Sequence, residues 1–357
     1  MYYSNHILDL YDVYGHYVCD SGSDLTNPES RNLQTIYIVT DYAHNNLRTI
    51  LDDLNQRNKR LSWFEIAKIL HEVLCGLKYL HSSGLVHRNL KPANICVNTD
   101  IHGGKYLWTK IVDFSSARKI VQNDNGVPYM NMSVYHDNLD EERLLEALTS
   151  LVQAVEYRAP EIILETNNHH YNYSIDIWSL AVIMMELITC RPLLGNLNIL
   201  KTIGEIANII GAFPNPTNPD LSLLAPQIRN LFSQFPEINE SMTEGPSNIR
   251  NKLSEDYNAH KNDFKGNLET NEQSDQAFDL YTSLIRRIMT WSPNSSRPSA
   301  DDILNDPFFL FAREQEDWNI EVENEQHEVY ARTTNIAADE NIDYYKQRVI
   351  EFIENQN

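Results

Sequence analysis

The chain opens on short runs of β-branched and aromatic residues. Positions 7–13 and 36–42 are rich in Ile, Val, Leu and Tyr, and the intervening 20–32 is crowded with Ser, Asp, Asn and Gly. This pattern predicts two antiparallel strands joined by a polar connection. At Ser62 the period changes. Ser62 and Glu65 form an S-x-x-E pair, in which each side chain can satisfy the other's free backbone N–H. Ile66, Ile69, Leu70, Val73, Leu77 and Leu80 then recur on one helical face. Gly84 is placed to end that helix, since glycine tolerates the left-handed conformation of a helix terminus. Beyond Leu85 short extended pieces return at 95–97, 106–108 and 111–112, the pattern of small hairpins around a loop-rich site.

Residues 174–190 are apolar on nearly every face, through Ile177, Trp178, Leu180, Val182, Ile183, Met184, Met185, Leu187 and Ile188. The segment predicts a helix buried in a core, too short and too polar at its start to cross a bilayer. Between 215 and 271 the sequence is rich in Pro, Asn and Ser apart from Ile228, Leu231 and Phe232, and it reads mainly as loop. Helical periodicity resumes through Phe278, Leu280, Leu284, Ile285, Ile288 and Met289, and Ser299 with Asp302 signals another helix start. An acidic stretch covers 313–325, and a last amphipathic segment runs through Tyr344, Val349, Ile350 and Ile353. No internal repeat is visible.

Composition narrows the function classes. Among 357 residues, 29 Lys and Arg face 50 Asp and Glu, a formal charge of −21 that argues against nucleic-acid binding. No long apolar stretch or basic-then-apolar N-terminus is present, so the expectation is a soluble intracellular protein without a membrane partner. Cys19, Cys75, Cys96 and Cys190 are widely spaced and show no zinc pattern, which predicts buried thiols in a reducing compartment. His169-His170 has no ligand partner at useful spacing and reads as surface loop, and Gly103-Gly104 reads as a turn.

The chemistry concentrates just after the capped helix. There the chain reads His87-Arg88-Asn89-Leu90-Lys91-Pro92-Ala93-Asn94, followed by Asp113-Phe114-Ser115, Ala159-Pro160-Glu161, Asp176-Ile177-Trp178-Ser179 and Arg297. In order and spacing these resemble the protein-kinase set H-R-D-L-x-x-x-N, D-F-G and A-P-E. Within the kinases, Tyr157-Arg158-Ala159-Pro160-Glu161 and Ser174-Ile175-Asp176-Ile177-Trp178-Ser179 look most like MAP kinases. So do Ala225 to Leu231, where that family carries an insert, and Asp306-Pro307-Phe308-Phe309 near the domain end.

The resemblance implies an α+β, protein-kinase-like fold: a remnant of the β-rich small lobe at 1–43, a mainly helical large lobe at 44–311 with its insert at about 215–271, and an acidic tail with a final helix at 312–357. It implies Mg²⁺ and ATP as cofactors, with Asn94 and Asp113 as oxygen ligands for the metal and Lys91 beside the transferring phosphate. Asp176 would accept backbone N–H bonds from the catalytic loop, Glu161 would pair with Arg297, and His87 and Phe114 would be structural. Thr149 falls where MAP kinases carry a phosphorylated Thr, and its phosphate could meet Arg88. The acidic residues Glu314, Glu316 and Asp317 lie where the family docks basic linear motifs of other proteins, and its members work in the cytoplasm and nucleus.

The sequence also departs from the family. Asn89 occupies the position of the catalytic Asp, and an amide cannot take the substrate proton, a role typically contributing ~10²–10⁴-fold. It can still orient a hydroxyl. Ser115 replaces the Gly after Asp113-Phe114, which predicts a motif restricted to one conformation. Thr149 lacks its partner Tyr, and Ala154 and Val155 replace the Thr and Arg that organise the substrate loop. His6-Ile7-Leu8 aligns with the strand after the regulatory helix, leaving no room for the roughly 60 residues that carry the Gly-rich loop and strand Lys. Weak or absent ATP binding is expected. Two readings stand: a pseudokinase-like docking or scaffold module in signalling, and an ATP-dependent Ser/Thr kinase whose N-terminal lobe is missing from this sequence.

Overall fold

A computed structural model describes residues 6–19, 31–40, 42–43, 45–99, 106–119, 121–122, 128–129, 154–163, 172–195, 199–211, 248–291 and 297–314. Strands β1 (Leu10–Cys19) and β2 (Arg31–Thr40) pair antiparallel, with Leu10 opposite Thr40 and Cys19 opposite Arg31. The pairing matches the sequence pattern, but the first strand does not begin at Ile7. Ile7 instead bridges in parallel to Ile111, where Leu8 N donates to Ile111 O at 3.1 Å and Ile111 N to His6 O at 2.9 Å. Backbone pairing also carries both strands past their apolar runs, because ladder hydrogen bonds do not depend on side-chain polarity.

A second sheet has the order β3 (Asn45–Asn46), β5 (Ile95–Thr99) and β6 (Tyr106–Ile111), all antiparallel. The extended pieces read separately at 106–108 and 111–112 are one strand, and it ends at Ile111. A short ladder joins β4 (Leu85–Val86) to β7 (Arg118–Lys119). These two pairings hold the loops on either side of β5 and β6 together, and those loops carry the site.

The helical body is built on three elements. Helix α1 (Leu47–Gln56) escaped the sequence reading, although Asn46 caps it by accepting from Thr49 N at 3.0 Å and Leu47 and Leu51 are fully buried. Helix α2 (Trp63–Ser82) has the expected capping box: Ser62 N donates to Glu65 Oε2 at 2.8 Å, Glu65 N to Ser62 Oγ at 3.3 Å. Gly84 follows it at φ +73°. After the short α3 (Pro160–Ile163), helix α4 (Ser174–Thr189) is buried at every position, as its all-round apolar pattern requires. It stops where Cys190 turns left-handed at φ +53°.

Around them pack α5 (Ile199–Ile210), α6 (Ile249–Ala259), α7 (Lys261–Lys265), α8 (Asn271–Ile288), α9 (Ala300–Leu304) and α10 (Pro307–Arg313). Trp63 is the hub, with the rings of Phe264 and Tyr281 5.2 and 5.3 Å away and Trp63 Nε1 donating to Ser274 Oγ at 3.0 Å. Helices α6 and α7 correct the loop reading over 249–265, while 215–247 lies outside the described residues. Ile249, Leu253 and Tyr257 recur every fourth residue and are buried, a stripe too narrow to stand out among polar neighbours. Gly266 closes α7 against the cap of α2; a Cβ there would lie 2.7 Å from Ser62 Cβ. The insert residues 225–231 lie outside the described residues.

The thiols also need correction. Cys190 is buried, but Cys75 and Cys96 are only partly so, and all three are free. Two compact units divide the chain, Met1–Ala312 and Arg313–Asn357, and nearly all of the second lies outside the described residues, with the acidic stretch beyond Glu314 and the final amphipathic segment. The same holds for Gly103-Gly104 and His169-His170. No helix among the described residues is long and apolar enough to cross a membrane.

Candidate active site

The site begins with a buried carboxylate. Asp176, in the first turn of α4, is fully buried and accepts from His87 N at 2.8 Å, Arg88 N at 2.9 Å and His81 Nε2 at 3.0 Å. Burial alone would raise its pKa, but the hydrogen bonds from His81 and from the backbone N–H of His87 hold it below the usual carboxylate range. This anchor fixes the loop at its sharpest point, where Arg88 sits at φ +64°. Arg88 is itself buried, with Nε donating to Ser116 O at 2.7 Å.

His87 locks the loop from the other side. Its Nε2 donates to Val112 O at 2.9 Å while its Nδ1 accepts from Asn89 N at 3.3 Å, which sets the tautomer with the proton on Nε2. The ring stands edge-on to Phe114, with centroids 5.2 Å apart. Lys91, half-buried, heads a single turn of 3₁₀ helix, Pro92–Asn94, and makes no ion pair among the described residues. Val112 N donates to Asn94 O at 3.0 Å and so brings Asp113 beside the loop.

Three side chains then converge on Asp113. Asn89 Nδ2 and Asn94 Nδ2 each donate to Asp113 Oδ2 at 3.0 Å, and Ser115 Oγ donates to Oδ1 at 2.6 Å. Asn94 Nδ2 also donates to Asn89 O at 2.8 Å. Partial burial raises the Asp113 carboxyl, but the Ser115 bonds and the Asn94 bond leave it below its ordinary value. Asp113 holds φ +64°. Ser115 is thus tied down by its own hydroxyl, within the 3₁₀ turn Phe114–Ser116.

Other expected residues lie farther off. Arg297 donates to Glu161 through Nη1 at 2.6 Å and Nη2 at 2.9 Å, both side chains buried. Thr149 lies outside the described residues, so the sequence-level pairing with Arg88 has no geometry here. Ala154 precedes the 3₁₀ turn Val155–Tyr157.

Sequence reasoning missed a buried cluster next to this turn. Tyr157 OH is 3.1 Å from both carboxylate oxygens of Glu186, Arg48 Nη1 donates to Glu186 Oε2 at 3.0 Å, and Arg48 Nη2 donates to Cys190 O at 3.1 Å. The visible signal was a carboxylate near the end of a helix apolar on nearly every face and not claimed by any motif. Burial pushes Glu186 up to about 7, and Arg48, shared with Asp52 at 2.8 Å, offsets only part of that. A raised acid binds its proton more tightly folded than unfolded, so stability falls as pH rises from the ordinary carboxylate range through about 7. Glu186→Gln is therefore expected to match wild type near pH 5 and to exceed it at pH 8 by on the order of 3 kcal/mol in urea unfolding. A difference independent of pH would contradict this.

The metal ligands need a test of fit. A carboxylate and an amide oxygen are the right chemistry for a hard cation. Here, however, both Asn89 and Asn94 turn amide nitrogen, not oxygen, toward Asp113, and both Asp113 oxygens already accept neutral donors. Among the described residues no group of three His, Cys, Asp or Glu is placed to hold a metal. So arranged, the donor set does not fit a divalent cation, and no transfer step follows from it.

Comparison with known proteins agrees with this architecture. The protein kinase domain family matches residues 2–309, and the chain belongs to that family, whose members typically use ATP and Mg²⁺. It is MAP-kinase-like. Mitogen-activated protein kinase p38a of Drosophila melanogaster is 33% identical over 188 residues, 53% of this chain and 41% of the relative. Mitogen-activated protein kinase 14 of Xenopus laevis is 33% identical over 181 residues, 51% of this chain and 40% of the relative. For p38b of Drosophila melanogaster the identity is 31% over 204 residues, covering 57% and 45%. The chain thus spans about two-fifths of the length of these curated relatives.

Proposed function

We propose that this chain is a catalytically impaired, MAP-kinase-like signalling module that acts by docking other proteins rather than by transferring phosphate. The observation that carries the reading is the Asn89 amide donating to Asp113 at 3.0 Å. A residue at the position of a general base is spent as a hydrogen-bond donor, and an amide has no basic lone pair for a substrate hydroxyl proton.

A docking role draws support from an open groove of about 420 Å³ beside α1 and α2. Ile50, Leu54, Leu61 and Ile69 line it, with Asp53, Glu65 and Arg57 also on its wall; Arg57 pairs with Asp53 at 2.9 Å, which leaves Glu65 as the uncompensated carboxylate among the described residues. Apolar pockets next to negative charge suit an extended peptide that carries a basic residue followed by apolar ones. In the sequence, Glu314, Glu316 and Asp317 add negative charge that suits a basic motif, the last two lying outside the described residues. Work in the cytoplasm or nucleus fits the similarity to MAP kinases.

The alternative, an ATP-dependent Ser/Thr kinase, is favoured by the retention of Lys91, Asn94 and Asp113 in one place. Phosphotransfer to a generic Ser/Thr substrate separates the two. Wild type and Asn89→Asp are both expected to transfer no phosphate above background from Mg·ATP, and transfer by either would defeat the docking-only reading.

A further inference from the structure

Two departures that look unrelated in the sequence meet on one carboxylate. Asn89 and Ser115 are 26 residues apart by number, yet Asn89 Nδ2 donates to Asp113 Oδ2 at 3.0 Å and Ser115 Oγ to Oδ1 at 2.6 Å. Asn94 supplies the third donor, again at 3.0 Å. An ionised carboxylate offers about four lone-pair positions. Three are filled here by neutral N–H and O–H groups from the same chain.

The residue types matter. An Asp at 89 would set a second carboxylate about 3 Å from Asp113, a contact that holds only with a shared proton or a cation between them. A Gly at 115 would remove the shortest of the three bonds. The amide orientation is equally constrained. Turned over, either Asn would aim a lone pair at the carboxylate, and Asn94 would also lose its bond to Asn89 O. Asn89 and Ser115 therefore do together what a divalent ion does elsewhere: they hold Asp113 beside the loop, and they do so without adding charge.

We propose that Asn89 and Ser115 are joint positioning residues, a neutral clasp that keeps Asp113 and its loop in place without a divalent cation and at the expense of cation affinity. The proposal rests on the reading of this site as catalytically impaired, but its consequences are separate. The built loop is indifferent to metal in the wild type, and a latent cation site opens when the clasp is removed.

The experiment uses Mn²⁺ alone, without nucleotide, on the full chain. Free Mn²⁺ is followed by electron paramagnetic resonance, and thermal unfolding is compared in chelator and in millimolar Mn²⁺. The acidic surface binds Mn²⁺ weakly, so Asp113→Asn supplies the background. Wild type is expected to match that background in both readouts. Asn89→Asp is expected to unfold below wild type in chelator, to regain about 2–4 °C in Mn²⁺, and to bind at least about tenfold tighter than background. Ser115→Ala removes a donor without adding charge, and is expected to bind Mn²⁺ several-fold tighter than wild type even if Asn89→Asp fails to fold. Wild type that binds Mn²⁺ above background as well as either variant would overturn the clasp, as would variants that stay at background. Phosphotransfer by wild type would defeat the functional reading while leaving these Mn²⁺ outcomes to decide the clasp.

Discussion

Replacing Arg297 with Ala is expected to lower the unfolding free energy by about 3–5 kcal/mol, the usual effect of stranding one partner of a buried ion pair. Its guanidinium is fully buried. Besides the two bonds to Glu161 it donates to Thr290 O at 2.8 Å and Ser174 O at 3.3 Å, and it lies 4.9 Å from the centroid of the Trp178 ring. One side chain thus ties α3, the start of α4 and the segment after α8. Removing it leaves the Glu161 carboxylate buried without its cation and takes one donor each from the Thr290 and Ser174 carbonyls. Arg297→Lys recovers little, because a single ammonium cannot reproduce the two-pronged geometry. In urea unfolding, Glu161→Ala combined with Arg297→Ala should cost less than the sum of the two single changes by at least about 1 kcal/mol. Strict additivity would show that the pair does not couple.

Asp176→Ala is the second large effect. It removes the acceptor of His87 N, Arg88 N and His81 Nε2 at once. An unsatisfied buried donor costs about 1–3 kcal/mol, so the expected loss is roughly 3–5 kcal/mol. Asp176→Asn is no remedy, since one of its two ends then presents a donor to a donor. The lowered pKa of Asp176 means that its contribution is present above the ordinary carboxylate range and is lost as pH falls through the folded value. The alanine variant should accordingly lack part of the acid sensitivity of the wild type. A loss of under about 1 kcal/mol would contradict the role of Asp176 as the anchor of the loop.

Much of this was readable from residue order. The S-x-x-E box at Ser62, the all-apolar run in α4 and the kinase-like motif set each depend on neighbours within a few residues, and local rules reach that far. What escaped the sequence was set by tertiary contact. Helix α6 carries a thin apolar stripe, and its Asp256 meets Arg60 at 3.2 Å and Arg191 at 2.9 Å, partners far away in sequence. Helix α1 begins at an Asn cap that reads equally well as a turn residue. Ile7 left the first strand for Ile111, a choice between partners a hundred residues apart that periodicity cannot make. In the site, the motif supplied Asn89, Asn94, Asp113 and Ser115 one at a time. That all three donors share a single carboxylate follows from Val112 N meeting Asn94 O, a contact between segments no motif spacing encodes. The Glu186 cluster lay hidden for the same reason, because Arg48 reaches it across 138 positions.

The central claim is that this kinase-like site is closed on itself and does not engage nucleotide. Thermal unfolding of the full chain with and without millimolar Mg·ATP tests it most directly. Any ligand held by the native state alone stabilises it by mass action, about 2.7 kcal/mol at a hundredfold excess over the dissociation constant. The same midpoint is expected with Mg·ATP, with Mg²⁺ alone and with neither. A nucleotide-dependent rise of a few degrees that disappears in Asp113→Asn would contradict it and make this chain an ATP-binding kinase.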